Sequence, residues 1–253
     1  MTESPVMLVA GGTGSIGRVV VAEALAAGWH VVQHGRRAPS ADVGIVSGPD
    51  ASAMRLLRVT ADLEEAGFVQ QLVSQAAGWQ GRLDAVIDCV SAAPAGARVT
   101  GLFSDTEPDG YAALLGLSVG HVERLAHAAL PWLKQRGGTF IAFASDAGRF
   151  AASGQALIGA SRAAIMGFVR NLALEVARDA VRVHCISPSF VAGSDSARRL
   201  AEQSRDRMQR AEARAGLGLP TPADIAPLVL FLCGEGARRI TGQVISVNGG
   251  LNA

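Results

Sequence analysis

A handful of residues in this chain have the type and spacing to do chemistry. Gly11-Gly12-Thr13-Gly14-Ser15-Ile16-Gly17 is a glycine cluster set between an apolar run and a stretch with helical spacing. Such a turn lets the backbone bend sharply and approach a ligand. The helix that follows aims its unpaired N–H groups and positive dipole end at an anion. A dinucleotide pyrophosphate suits it. Gly35-Arg36-Arg37 falls where a second strand would end, with no carboxylate until Asp42. An acidic residue there would hold ribose hydroxyls, whereas a guanidinium grips a 2′-phosphate with paired charge-assisted hydrogen bonds. The cofactor predicted is therefore NADP(H). Asp62 fits either of two roles, acceptor for the adenine amino group or N-cap of the next helix. Ser145, at the end of a later apolar run, can donate to a carbonyl oxygen or cap the strand end. His121 and His184 are further candidates for proton transfer, although such residues more often serve an interface or support a loop.

The elements that would carry these residues alternate along the chain. Short apolar runs predict strands at 6–10, 30–35, 56–59, 83–90, 139–144, 181–186 and 243–247. Helical patterns follow Ile16 and cover about 62–77, 111–135, 154–178, 196–215 and 223–233. Alternation of this kind predicts right-handed crossovers and an α/β fold, a Rossmann-type doubly wound parallel sheet of about seven strands in a three-layer αβα arrangement. No repeat or linker divides residues 1–253, so one domain is expected.

Composition narrows the function. Of 253 residues, 49% are hydrophobic and the net charge is +1, so nothing marks a nucleic-acid or membrane surface. The arginine-rich stretch 198–214 is interleaved with Glu202, Asp206 and Glu212 and reads as a solvated helix face. Cys89, Cys185 and Cys233 lie far apart in apolar runs, with no metal-ligand spacing, and read as free thiols in a reducing cytoplasm. There is no signal peptide and no apolar run of about 18 residues, which predicts a soluble, cytoplasmic protein.

Taken together these motifs resemble the short-chain dehydrogenase/reductase family over nearly the whole chain. Gly11 to Gly17 is similar to the family's T-G-x-x-x-G-x-G turn, with Ala10 for the threonine and Ser15 for the second glycine. Asp62-Leu63 matches the adenine-site pair, and Pro188-Ser189-Phe190-Val191 resembles the P-G-x-V segment that holds the nicotinamide carboxamide. Ile240-Thr241-Gly242-Gln243 and Val247-Asn248-Gly249-Gly250 resemble the C-terminal signature. The resemblance implies cofactor contacts from Gly11, Thr13, Ser15, Ile16, Gly17, Arg36, Arg37, Asp62, Leu63, Val90, Arg162, Pro188, Ser189 and Val191. It also implies a substrate lid at about 189–219, whose Phe190, Leu200, Met208, Leu217 and Leu219 point to a hydrophobic small molecule. Helices 111–135 and 154–178 commonly pair in this family, which implies a homodimer or homotetramer.

The catalytic positions depart from the pattern. The family uses a Ser, a Tyr and, one helical turn on, a Lys, supported by a helix Asn. Ser145 matches the serine, but Ile158 stands in the tyrosine slot, Arg162 in the lysine slot and Ser118 in the asparagine slot. Asp88-Cys89-Val90-Ser91 replaces N-N-A-G, and His184 replaces an Asn. The one tyrosine, Tyr111, is elsewhere, and the only lysine, Lys134, stands against 22 arginines. Arginine donates to ribose hydroxyls but does not give up its proton, and isoleucine can neither donate nor accept one. Ser145, Arg162 and Ser118 remain as catalytic candidates. Three functions stay open: an atypical, ketoreductase-like NADP(H)-dependent oxidoreductase that reduces an activated carbonyl with a proton from substrate or water; a catalytically silent NADP(H)-binding protein or partner subunit; and a non-redox lyase or cyclase. No metal site is expected.

Overall fold

Val, Ile and Leu crowd the seven runs that become strands: β1 (Val6–Ala10), β2 (His30–Gly35), β3 (Leu56–Thr60), β4 (Ala85–Asp88), β5 (Thr139–Phe143), β6 (Arg182–Pro188) and β7 (Val244–Val247). Every residue of β1 and β5 is buried, as expected of strands covered on both faces. The computed structural model describes residues 4–36, 55–63, 65, 67–90, 99–203 and 205–252. Arg37 and Ser91 lie outside the described residues.

The strands form one sheet in the order β3-β2-β1-β4-β5-β6-β7, and every neighbouring pair is parallel. Helices cover both faces. On one, α1 (Gly17–Ala26) and α8 (Pro222–Cys233) bury Val20, Val21, Ile225 and Val229 against Met7, Val9 and Ile141. On the other, α2 (Phe68–Gln80), α4 (His121–Leu133) and α5 (Ala156–Val176) bury Leu72, Leu125 and Val169 against Leu8, Val86 and Phe140. The chain winds outward from β1 through β2 to β3, then returns to start the other half at β4. That reversal opens a crevice beyond the carboxyl ends of β1 and β4, the place where doubly wound folds bind ligands.

Two elements differ from expectation. The helix predicted from residue 62 begins only at Phe68, after Gly67 at φ 85°, so Asp62 is not its N-cap. The helix predicted at 111–135 is interrupted: α3 (Tyr111–Leu115) passes through a wide π turn (Gly116–Gly120) into α4. The polar stretch near 196–215 is helical over α6 (Asp195–Gln203) and α7 (Arg205–Arg214). In addition, the segment Ala156–Asp179 is long and apolar enough to cross a membrane by length and composition alone, contrary to the sequence reading. Here Ile165, Met166, Val169, Leu172 and Val176 spend that apolarity on the sheet.

Candidate active site

The glycine turn is built by exclusion. Gly11 sits at φ 72°, and a Cβ on it would lie 2.8 Å from the Cys89 carbonyl oxygen at the end of β4. A Cβ on Gly17 would collide with the Gly11 carbonyl oxygen, so α1 begins directly on the turn. Two polar residues of β2 then pin it. Gln33 Nε2 donates to the Gly12 carbonyl at 2.8 Å, and the Gly11 N–H donates to His34 Nδ1 at 3.2 Å. His34 Nε2 lies 2.9 Å from the Ala61 carbonyl, so the ring is neutral with its proton on Nε2. Burial pushes the His34 pKa down, against the Ala61 carbonyl and the charges of Asp88 and Asp62. Sequence reasoning missed Gln33 and His34; the signal was two polar residues inside an otherwise apolar strand. It also missed Gly35, where a Cβ would strike the Thr13 side chain.

A cleft of about 510 Å³ lies over this turn, lined by Gly11, Thr13, Ser15, Ile16, Arg36, Asp62, Leu63 and Val90. Gly17 stands buried behind it. A second cleft of about 1250 Å³ holds Ser145, Ile158, Arg162, Pro188, Ser189 and Val191. Both are lined by Ile16, Cys89, Val90, Ser196 and Arg199, so they open into one another. Ser118, a catalytic candidate from the sequence, is fully buried in the π turn and lines neither cleft. The π turn folds it inward.

Ser145 caps a short 3₁₀ turn, its Oγ accepting the Ala147 N–H at 3.4 Å while lining the larger cleft. Its neighbour Asp146 borders the same cleft but is buried. The Asp146 carboxylate accepts from Ser187 Oγ (2.9 Å), Ser246 Oγ (2.7 Å) and Asn248 Nδ2 (2.6 Å). Ile158 and Arg162, one turn apart on α5, both face the cleft, so no proton donor stands in the tyrosine slot. Tyr111 is occupied elsewhere, its hydroxyl 2.6 Å from Thr106 Oγ1. Arg162 is 8% exposed and makes no hydrogen bond among the described residues. Burial pushes its pKa down, while Asp88 and Cys185 act to hold it up.

His121, one turn beyond Ser118, reaches the smaller cleft. Its Nε2 lies 3.0 Å from Asp88 Oδ2 and 3.2 Å from Oδ1, and its Nδ1 contacts the Leu117 carbonyl. Burial opposes a charge on this ring, but Asp88 and the Leu117 carbonyl outweigh it and the pKa is raised. His184 reaches no cleft. It is fully buried in mid-β6, with neither ring nitrogen in good hydrogen-bond geometry, and the Ile240 backbone acts to hold its pKa up. Burial and Arg182 push its pKa down to about 4. The cysteines are poor nucleophiles: burial raises the Cys89 pKa and pushes Cys185 and Cys233 up to about 12. Among the described residues no group of His, Cys, Asp and Glu is placed to hold a metal.

The segment beyond β6 lines the larger cleft. Phe190 and Leu219 pack with Ala211, Ala215 and Leu251, while Leu217 is 91% exposed. Arg199, Arg207, Arg210 and Arg214 line the same cleft, where Asp146 is the sole acidic residue among those described. Arg207 donates to the Ser153 carbonyl at 3.1 Å, and the Asp195 N–H donates to Ser15 Oγ at 3.1 Å.

Comparison with known proteins agrees with this geometry. The model of the enoyl-(acyl carrier protein) reductase family matches residues 10–252. A tropinone reductase homologue from Arabidopsis thaliana is 30% identical over 249 residues, covering 96% of this chain and 90% of that protein. A 3-oxoacyl-[acyl-carrier-protein] reductase, FabG, from Staphylococcus aureus is 27% identical over 252 residues, covering 99% and 98%. The solved structure of ElxO with NADP bound superposes with a TM-score of 0.85 at 20% identity, covering 98% of this chain and 99% of that one, a likeness of fold.

Proposed function

The chain belongs to the short-chain dehydrogenase/reductase family, and from that premise we propose that it is an NADP(H)-dependent oxidoreductase that reduces an activated carbonyl compound. The observation that carries this reading is the meeting of the two clefts at Ile16, Cys89 and Val90, with Ser145 and Arg162 on the far side. The cradle fits a dinucleotide: Gly11 and Gly17 leave no room for a side chain where the turn packs on the end of β4 and α1 begins, the α1 N-terminus suits a pyrophosphate, and Arg36 lies where a 2′-phosphate would sit. Asp62 and Leu63 then border the adenine, and Pro188, Ser189 and Val191 the nicotinamide. When bound, the reduced dinucleotide supplies a hydride. Ser145 Oγ donates to the substrate oxygen as charge builds on it, and Arg162 donates to ribose hydroxyls without releasing its own proton. The proton reaches the oxygen from water or from an acidic hydroxyl of the substrate.

The larger cleft refines the substrate class. Its floor is apolar, with Val99, Phe143, Phe150 and Ile158, while its rim carries the four arginines of α6 and α7. This supports a substrate with an apolar body and an anionic end. Segment 189–219 acts as its lid. A second reading, a silent dinucleotide-binding protein, is favoured by Ile158 in the tyrosine slot. The test is NADPH consumption with quinone-like and hydroxyaryl ketones, with and without a carboxylate, against plain ketones. Turnover of activated, anionic compounds alone is expected. NADPH binding without turnover overturns the reductase in favour of the silent protein, and absence of dinucleotide binding leaves a lyase or cyclase.

A further inference from the structure

His121 has an acceptor on each side of its ring. Nδ1 meets a backbone carbonyl, which cannot donate, and Nε2 meets both oxygens of Asp88 at 3.0 and 3.2 Å. Two protonation patterns satisfy that geometry. Either the ring carries both N–H groups beside an ionised carboxylate, or Nδ1 alone carries one and a protonated Asp88 donates to Nε2. Both patterns contain the same number of protons, one more than a neutral imidazole beside a carboxylate. The pair is buried, with His121 3% and Asp88 0% exposed, and its contact with water is through the smaller cleft that His121 borders. It sits where β4 ends and where the π turn packs against α5, the helix that carries Arg162.

We infer that the Asp88–His121 pair is the proton store of this active site, resupplying through water the proton that a tyrosine supplies in related enzymes. The inference rests on the reductase reading. The balance is simple. The carbonyl carbon gains a hydride and the dinucleotide is left oxidised; the carbonyl oxygen gains one proton and becomes a hydroxyl. The pair gives up that proton, leaving a neutral imidazole beside a carboxylate, and regains it from solvent. His121 acts through water and is a relay residue, not one that touches the reacting atoms.

The groups around the pair set its pH response. From α5, Arg162 opposes a charge on His121, while Asp88 helps to hold the charge on Arg162. From β2, His34 faces Asp88 and is held neutral by its bonds to Gly11 and Ala61. Cys89, next in the chain, stays protonated in its buried site. Asp62, beyond His34, completes the charged neighbours identified by these contacts. Asp88 is thus the partner that keeps the extra proton in place, and the store empties as pH rises through the raised His121 value.

The direct measurement is the ¹⁵N spectrum of His121 in the unmodified protein without cofactor. Both ring nitrogens should read as protonated, or as sharing a proton with Asp88, at pH 7, while an exposed histidine is neutral. A single-tautomer neutral ring at pH 7 overturns the inference. With a substrate found as above, His121→Gln should lower kcat by about tenfold to a hundredfold and leave the NADPH Kd within about threefold. Asp88→Asn, which keeps an acceptor but removes the anion, should move the alkaline limb of the kcat profile to lower pH. Superimposable profiles for Asp88→Asn and the unmodified protein overturn the role. Turnover in the unmodified protein that His121→Gln leaves unchanged overturns the store alone; no turnover of any carbonyl overturns the reductase reading and the store with it.

Discussion

The Asp146 carboxylate accepts the Asn248 side-chain amide at 2.6 Å, bridging the ends of β5 and β7 with β6 between them. Ser187 and Ser246 donate to its other oxygen. One buried carboxylate thereby gathers three strand ends directly beneath Ser145.

Removing it should cost stability, because three donors lose a charged acceptor. Asp146→Ala should destabilise by about 2–4 kcal/mol, since bonds to charged groups contribute about 1.5–3 kcal/mol and the stranded donors add desolvation. Urea unfolding checks this. Asp146→Asn, which keeps one acceptor oxygen, should lose less.

Gly17→Ala should disable dinucleotide binding while the chain still folds. The new methyl strikes the Gly11 carbonyl, and relieving the clash means moving the turn off β4. Overpacking of this kind costs about 1–3 kcal/mol, which calorimetry should read as at least about a fivefold rise in NADPH Kd.

Arg36→Ala should erase most of a preference for NADPH over NADH and leave NADH affinity nearly unchanged. A charge-assisted bond to the 2′-phosphate contributes about 1.5–3 kcal/mol, a ten- to hundredfold preference. Equal affinities for the two cofactors in the unmodified protein would show that Arg36 is solvated.

His184 makes the fold acid-sensitive. Its folded pKa, about 4, is below the unfolded value of 6.5, so the unfolded chain binds more protons between them. Stability from this group is full above pH 6.5 and is lost as pH falls through about 4. His184→Leu should flatten that decline and raise stability near neutral pH by about 1 kcal/mol, because both ring nitrogens are buried without a well-formed hydrogen bond. Thermal unfolding from pH 8 to pH 4 measures both effects.

Much of this was legible in the sequence, for reasons that differ by element. The strands announced themselves because a parallel sheet buries both faces, so β1 and β5 are unbroken apolar runs. The glycine turn was legible because close backbone approach admits no other residue at Gly11 or Gly17. Placing Ile158 and Arg162 on the cleft took the family resemblance, which sets their slots, and helical spacing, which puts both on one face. What sequence could not supply was pairing across distance. Asp88 and His121 are separated by 33 positions, and nothing local says that a strand end meets a helix start. The π turn at Gly116–Gly120 was hidden because α3 and α4 share one apolar pattern through it. Asp62 was ambiguous until α2 proved to start at Phe68.

The contact between Ser15 Oγ and the Asp195 N–H joins the phosphate turn to the first residue of α6. A single hydroxyl therefore belongs both to the glycine turn and to the segment that borders the larger cleft. A phosphate that accepts the Ser15 O–H leaves the oxygen's lone pairs on the Asp195 N–H, so the arriving cofactor holds the two together. The expected kinetic signature is a fixed order of arrival and departure: dinucleotide on first and off last, with the organic substrate passing through in between.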